Sequence, residues 1–103
     1  QLDDFVYQCK GDALYDLERY EEALAAYEQA IRLDPKYASA YKGKGDALSE
    51  LNRYKEALTA YNRSIQLNPN DPQAYIGKAN AQKQILKNQE KLKKLPKKSH
   101  NSL

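Results

Sequence analysis

The sequence predicts an all-α protein built as a solenoid of stacked helical hairpins. Three observations predict this class. The chain repeats itself with a period of 34 residues, and each repeat contains two segments with apolar residues at helical spacing. The composition is also polar for a chain of 103 residues. The hydrophobic fraction is 41% and the mean hydropathy is −0.95, values that suit an elongated protein better than a compact one.

The repeat defines two complete units, residues 4–37 and 38–71. A shift of 34 residues aligns them, and 17 of the 34 aligned positions are identical. A third unit starts at residue 72 and loses the correspondence after its first helix. The recurring positions that we expect to set the packing are Gly11, Ala23, Tyr27 and Pro35 in the first unit and Gly45, Ala57, Tyr61 and Pro69 in the second.

Each complete unit is predicted to hold two helices joined by a short turn. In the second unit a first helix is predicted over 38–51, and a second helix carries the apolar stripe from Ala57 to Leu67. Asp34 and Asn68 each precede a proline, and the residue before a proline is disfavoured in helices. The second helix of each unit is therefore expected to stop at these residues.

Small and large residues occur together where the two helices of one hairpin would meet. Gly11 and Ala23 leave room in the first unit, and Tyr27 is bulky enough to fill the adjoining gap. The second unit repeats the same three residue types. Because a single hairpin cannot bury its apolar face alone, the units are expected to stack.

Residues 72–95 are predicted to be a partial third repeat or a C-terminal capping helix. Asp71 can cap this helix, and Pro72 suits its first position. Two forms stay open. One is a continuous helix over 73–95, and the other is a helix broken near Asn88 that re-forms a hairpin. Residues 96–103 are predicted to be a disordered tail.

This pattern resembles the tetratricopeptide repeat, a family of 34-residue helix-turn-helix units. The resemblance covers about residues 4–90 and implies a right-handed superhelix of about two and a half repeats. In the third unit Asn88 replaces the family's turn tyrosine and Lys91 replaces its small alanine, so a third hairpin is not expected to close in the usual way. The residues that carry the resemblance are Tyr41, Gly45, Leu48, Ala57, Tyr61 and Pro69.

The resemblance also implies a function, which is non-catalytic protein–protein interaction as a scaffold or adaptor. In this family the first helix of each repeat lines a concave surface that binds a peptide or a partner helix. The implied binding residues are Phe5, Gln8, Cys9, Asp12 and Asp16 in the first repeat, Ser39, Lys42, Gly43, Asp46 and Glu50 in the second, and Gln73, Ile76, Gly77, Asn80 and Gln84 in the third.

The charge of these residues favours a ligand of basic or polar character. Asp12, Asp16, Asp46 and Glu50 outnumber Lys42 on the implied surface. Two glycines among the implied residues, at positions 43 and 77, are predicted to let a ligand backbone approach closely.

The best-known ligand of the family, the C-terminal carboxylate tail of the Hsp70 and Hsp90 chaperones, is disfavoured. That tail is held by a clamp of lysine, asparagine and arginine side chains. Asp12 carries the wrong charge for a carboxylate ligand. None of the matching positions here carries a clamp residue; they are Gln8, Asp12, Gly43, Gln73 and Gly77.

Charge is strongly segregated along the chain. The net charge is −5 over residues 1–37, +1 over 38–71 and +7 over 72–103. The lysines near the C-terminus suit a solubilising end of the array. They also leave two alternatives open, electrostatic binding of nucleic acid or an acidic partner, and head-to-tail self-association. No aromatic or arginine is interleaved with them, which disfavours base stacking and bidentate phosphate recognition.

Nothing in the sequence indicates an enzyme, a metal site or a cofactor. The one histidine, His100, lies in the predicted tail, and no phosphate loop or metal-binding motif occurs. The single Cys9 rules out an intramolecular disulfide, and no apolar run approaches the about 18 residues that span a membrane. We therefore expect a cytoplasmic protein. Since the chain opens with Gln1 inside a helix-like segment, we also expect it to be part of a longer protein.

Overall fold

The computed structural model describes residues 3–94, and these residues form five α-helices. The predicted tail at 96–103, with His100, lies outside the described residues. The helices are α1 (Asp4–Asp16), α2 (Tyr20–Leu33), α3 (Ala38–Glu50), α4 (Tyr54–Leu67) and α5 (Pro72–Lys94). The predicted all-α class is confirmed.

The helix ends follow the local chemistry of the sequence. The Asp3 side chain accepts a hydrogen bond of 2.9 Å from the Val6 backbone N–H and caps α1. The residues before the two prolines, Asp34 and Asn68, are extended and end α2 and α4. The Asp71 side chain accepts a 3.0 Å hydrogen bond from the Gln73 backbone N–H where α5 begins.

The helices pack in sequential pairs. α1 lies against α2, α3 lies against α4, and each pair is joined to the next element through α2–α3 and α4–α5 contacts. α1 also approaches α3, and α3 approaches α5, whereas among the described residues no Cα atom of α2 lies within 8 Å of one in α4. The odd-numbered helices are thus more closely spaced than the even-numbered ones. A stack spaced in this way curves toward its odd-numbered side.

Two tyrosines hold consecutive pairs together, each lying between two glycines. A Cβ placed on Gly11 would be 2.7 Å from Cε1 of Tyr27, and a Cβ on Gly43 would be closer still to the same ring. Tyr61 has the same relation to the glycines at 45 and 77. Both tyrosines are 2% exposed. The predicted meeting of small and large residues inside a hairpin is therefore present, and each ring also reaches the first helix of the next repeat.

α5 runs from Pro72 to Lys94 without a turn near Asn88. The turns that end α1 and α3 contain Glu18 and Asn52 at positive φ, 60° and 63°. The residue at the equivalent position of the third unit is Leu86. Leucine has no side-chain hydrogen bond to offset the left-handed conformation, which costs roughly 1–2 kcal/mol, although Glu18 shows that this cost alone does not prevent the turn. Lys91 also replaces the small alanine of the other repeats. The third unit therefore lacks the residues that favour a turn and a second packed helix, and α5 continues instead.

The molecule is elongated, with principal extents of 63 × 27 × 21 Å. Within residues 3–94, no helix is both long enough and apolar enough to cross a membrane.

Candidate peptide-binding surface

The exposed sides of α1, α3 and the first half of α5 form one continuous face, which we call the inner surface. It lies on the side where helices are most closely spaced. The predicted binding residues come from these three helices, and all except Gly43 are at least partly accessible. The exposed ones are Phe5, Cys9, Asp12, Asp16, Ser39, Glu50, Gln73, Ile76 and Asn80.

Two of the acidic residues on the inner surface are also hydrogen-bonded to the tyrosines that join the repeats. The Tyr27 hydroxyl donates a 2.5 Å hydrogen bond to Asp12, and the Tyr61 hydroxyl donates one of the same length to Asp46. Burial, followed by these hydrogen bonds, raises the pKa of both tyrosines above the ordinary value of 10.0. Both hydroxyls are therefore firmly protonated, and each aspartate has one oxygen oriented by the core.

This second role of Asp12 and Asp46 was not predicted from the sequence, although a signal was present. Both aspartates belong to the identical positions of the repeat, and each lies 15 residues before its tyrosine. A residue that contacts only a ligand has no reason to follow the packing repeat. The Lys42 ammonium lies 2.8 Å from Asp46, so one of the four acids on the surface is partly neutralised.

The structure corrects the role predicted for Gly43 and Gly77. Gly43 is buried, and the space that a Cβ would need at either glycine is taken by a tyrosine ring of the preceding repeat, Tyr27 or Tyr61. These glycines allow two helices and an aromatic ring to pack closely. The close approach that we predicted for a ligand backbone is made by side chains of this chain instead.

Two contacts cross between α1 and α3 on the inner surface. The Gln8 amide donates a hydrogen bond to the Ser39 hydroxyl. Near the other end of the same helices, the Tyr15 hydroxyl donates a 3.2 Å hydrogen bond to Glu50. Burial and the nearby charge of Glu50 raise the pKa of Tyr15. Sequence reasoning missed Tyr15, because it is replaced by Ser49 in the second repeat and carries no repeat signal.

The first and third repeats each contribute one large apolar side chain. Phe5 of α1 is 62% exposed, and Ile76 of α5 is 52% exposed. Cys9 is an exposed free thiol near Phe5 in sequence. Each apolar side chain can contact a nonpolar ligand side chain, while the polar residues between them supply hydrogen bonds.

A cavity of about 370 Å³ lies at the junction of α3 and α5. Glu50, Asn80 and Gln84 line it, and so do Lys83 and Lys87. The inner surface is acidic along α1 and α3 and becomes basic at this end. Within residues 3–94, no group of three or more His, Cys, Asp and Glu side chains is placed to hold a metal ion.

Stacked helical hairpins that expose one continuous polar face define the class of helical repeat proteins. The family within this class is identified by a sequence match. Residues 10–72 match the family model described as tetratricopeptide repeat, so the chain belongs to the tetratricopeptide repeat family. Members of this family are typically non-catalytic interaction modules. No curated protein matches the chain.

Several solved tetratricopeptide domains have the same fold. The TPR2AB domain of yeast Sti1 in its pHSP90 complex is 29% identical with a TM-score of 0.78, over 80% of this chain and 32% of that one. The TPR2B domain of yeast Sti1 in its pHsp70 complex has the same identity and TM-score, over 80% and 66% of the two chains. This chain thus spans about a third of the first structure's length.

A more distant structure is the second TPR of Spaghetti (RPAP3) bound to the HSP90 peptide SRMEEVD. It is 20% identical with a TM-score of 0.80, over 82% of this chain and 79% of that one. At this identity the similarity concerns the fold alone.

Proposed function

We propose that the chain is a non-catalytic interaction module that binds an extended or helical peptide on its inner surface. The observation that carries this proposal is the continuous polar face formed by α1, α3 and α5, framed by the exposed apolar side chains of Phe5 and Ile76. The peptide complexes of the related Sti1 domains support it, because those domains share the fold over 80% of this chain.

The charge of the inner surface supports a ligand with basic residues. Asp16 and Glu50 are exposed acids, and Asp12 and Asp46 are acids that accept hydrogen bonds from tyrosines. Complementary charge on a ligand increases the association rate and suppresses wrong partners. A peptide with lysine or arginine opposite α1 and α3 complements the charge of these acidic residues.

The same features disfavour an acidic chaperone tail as the ligand. Asp12 stands at a clamp position with a negative charge, and its oxygen is held by Tyr27. Gly43, at another clamp position, is buried and has no side chain to offer. A carboxylate bound along α1 and α3 would therefore meet the negative charge of Asp12, and neither Gln8 nor Gly43 supplies a cation to hold it.

The charge preference is tested with two labelled peptides in a fluorescence anisotropy titration. One is SRMEEVD, the HSP90 peptide of the Spaghetti complex. The other is its charge-inverted form, SRMKKVK with an amidated C-terminus. We expect the basic peptide to bind more tightly, and its affinity to fall with added salt. Equal or tighter binding of SRMEEVD would contradict the proposed ligand chemistry.

The location of the site is tested with the double variant Asp12→Asn and Asp46→Asn. Asparagine removes the charge but keeps an oxygen that accepts the tyrosine hydrogen bond, so the fold is retained. We expect about three- to tenfold weaker binding of the basic peptide. The matched control is Glu18→Gln with Glu21→Gln, which removes two exposed charges outside the inner surface. Equal effects of the two double variants would show a general charge effect and no inner-surface site.

A further inference from the structure

The first repeat has a second accessible face, on the side of α1 and α2 away from the second repeat. We call it the end face, and Tyr7, Lys10, Leu14, Glu22 and Ala26 line a cavity of about 360 Å³ on it. Val6 of α1 is 39% exposed, whereas the equivalent Ala40 of α3 is fully buried. The end face is therefore open at Val6, where α2 covers the equivalent position of the second repeat.

The second repeat shows what covers such a face. A shift of 34 residues converts Tyr7, Lys10 and Leu14 into Tyr41, Lys44 and Leu48. α2 contacts α3 on this side, and its Glu28 carboxylate lies 3.4 Å from the Lys44 ammonium. A cavity of about 420 Å³ remains beside Tyr41, Lys44 and Leu48. The face thus accepts a helix that carries an acidic residue toward its lysine.

The second half of α5 is a helix of this kind, and it has a free side. Leu86 lies on this free side and is 61% exposed, whereas Leu92 lines a cavity against the start of α4. Leu86, Glu90 and Lys94 follow one another at four-residue spacing, as Leu24, Glu28 and Arg32 do in α2. Residues at this spacing lie on one face of a helix. α5 therefore carries the same order of apolar, acidic and basic residues as the helix that covers the second repeat.

Long-range charge favours bringing these two regions together. α5 contains six lysines and one glutamate, a net charge of +5, and residues 1–37 carry −5. The acids around the end face include Glu21 and Glu22 at the start of α2. Because the opposite charges lie in the first and last helices of an elongated molecule, they attract between copies in a head-to-tail arrangement.

We propose that the end face binds α5 of a second copy of this chain, with the Glu90 carboxylate on Lys10 as Glu28 lies on Lys44. Leu86 then covers the apolar part of the end face beside Leu14, and Lys87 and Lys91 approach Glu22. The contact is heterologous, since it joins two different surfaces, so it extends into linear chains of molecules. The end face is separate from the inner surface, and the contact does not depend on the proposed peptide binding.

The proposal is tested by sedimentation velocity over a range of protein concentrations at ionic strengths of about 0.01 M and about 1 M. The Debye length is about 30 Å at the first and about 3 Å at the second. We expect concentration-dependent association at low salt that is weakened at high salt. A strictly monomeric chain at low salt would overturn the proposal.

Charge-swap variants test the specific contact. Lys10→Glu and Glu90→Lys each place like charges together at the contact, but each also increases the long-range attraction between the two regions. At an ionic strength of about 0.15 M or above, where the long-range attraction is screened, each should weaken association about three- to tenfold. The double variant restores an opposite-charge pair between copies and should recover association. Leu86→Asp should weaken association without changing the helical content seen by circular dichroism. Lys36→Glu, outside both surfaces, is the charge control. The proposed contact would be overturned if Leu86→Asp left association unchanged. It would also be overturned if the double variant associated as weakly as the single variants.

Discussion

At the residue scale, successive repeats are held together by a tyrosine ring that packs between two glycines, one from each repeat. Gly11 and Gly43 both face Tyr27, and a Cβ on either would come within 3.0 Å of the ring. Glycine weakens a helix by about 1 kcal/mol relative to alanine, so its presence inside α1 and α3 needs a compensating gain. The gain is close packing of the ring and its hydroxyl bond to Asp12.

The first prediction concerns Gly43→Ala. Helix propensity alone predicts a gain of up to about 1 kcal/mol. Because the new methyl group would overlap the Tyr27 ring, we expect instead a net loss of about 1–3 kcal/mol in unfolding free energy, measured by urea denaturation. The control is the same substitution in a Tyr27→Ala background, where the ring is gone and the change should be neutral or stabilising. A similar loss in both backgrounds would show that the ring is not the cause.

The second prediction concerns pH. The pKa values of Tyr27 and Tyr61 are raised in the folded chain, so their contribution to stability is fully present below the ordinary value of 10.0. Above that pH the unfolded chain loses these protons while the folded chain keeps them. Stability should therefore fall above pH 10, by at most about 1.4 kcal/mol per pH unit for each tyrosine.

The matched variant for the pH experiment replaces both Tyr27 and Tyr61 with phenylalanine. The rings remain, but the hydroxyl bonds are lost, which should cost about 1 kcal/mol each near neutral pH. The decline of unfolding free energy above pH 10 should then become shallower. An unchanged slope would assign the alkaline loss of stability to other groups.

At the element scale, the features with a local or periodic cause could be predicted from the sequence. The two complete hairpins, their stops before Pro35 and Pro69 and the capping of α5 by Asp71 are present in the structure. Each depends on residues that act within one turn of the chain or recur at a fixed period. The boundaries of these helices follow for the same reason.

The features that the sequence did not yield depend on contacts between elements. Tyr15 reaches Glu50 across 35 positions of sequence, and no periodicity links the two residues. The role of Gly43 depends on a ring in the preceding repeat. For α5, the sequence left a broken and a continuous helix open, and the structure has a continuous helix through Leu86, at the position where the other two repeats adopt positive φ.

At the scale of the whole molecule, stability and charge are both arranged along one axis. Each helix pair contacts only its neighbours in the stack, so a repeat protein of this kind loses stability mainly at the interfaces that are removed. Ala74 and Ala81 of α5 are buried against the stack, whereas residues 86–94 are exposed throughout. α5 therefore combines a packed first half with a free, lysine-rich second half.

Deletion of residues 87–103 separates the roles of these two halves. Because residues 87–94 are exposed, the unfolding free energy should change by no more than about 1 kcal/mol in urea denaturation. Binding of the basic peptide to the inner surface should be retained, since Ile76 and Asn80 remain, while head-to-tail association should be lost with Glu90.

Removal of all residues from Pro72 onward is the comparison, because it uncovers Tyr61 and should destabilise the chain far more. Loss of peptide binding in the shorter deletion would place the binding site on the lysine-rich half of α5 instead of the inner surface.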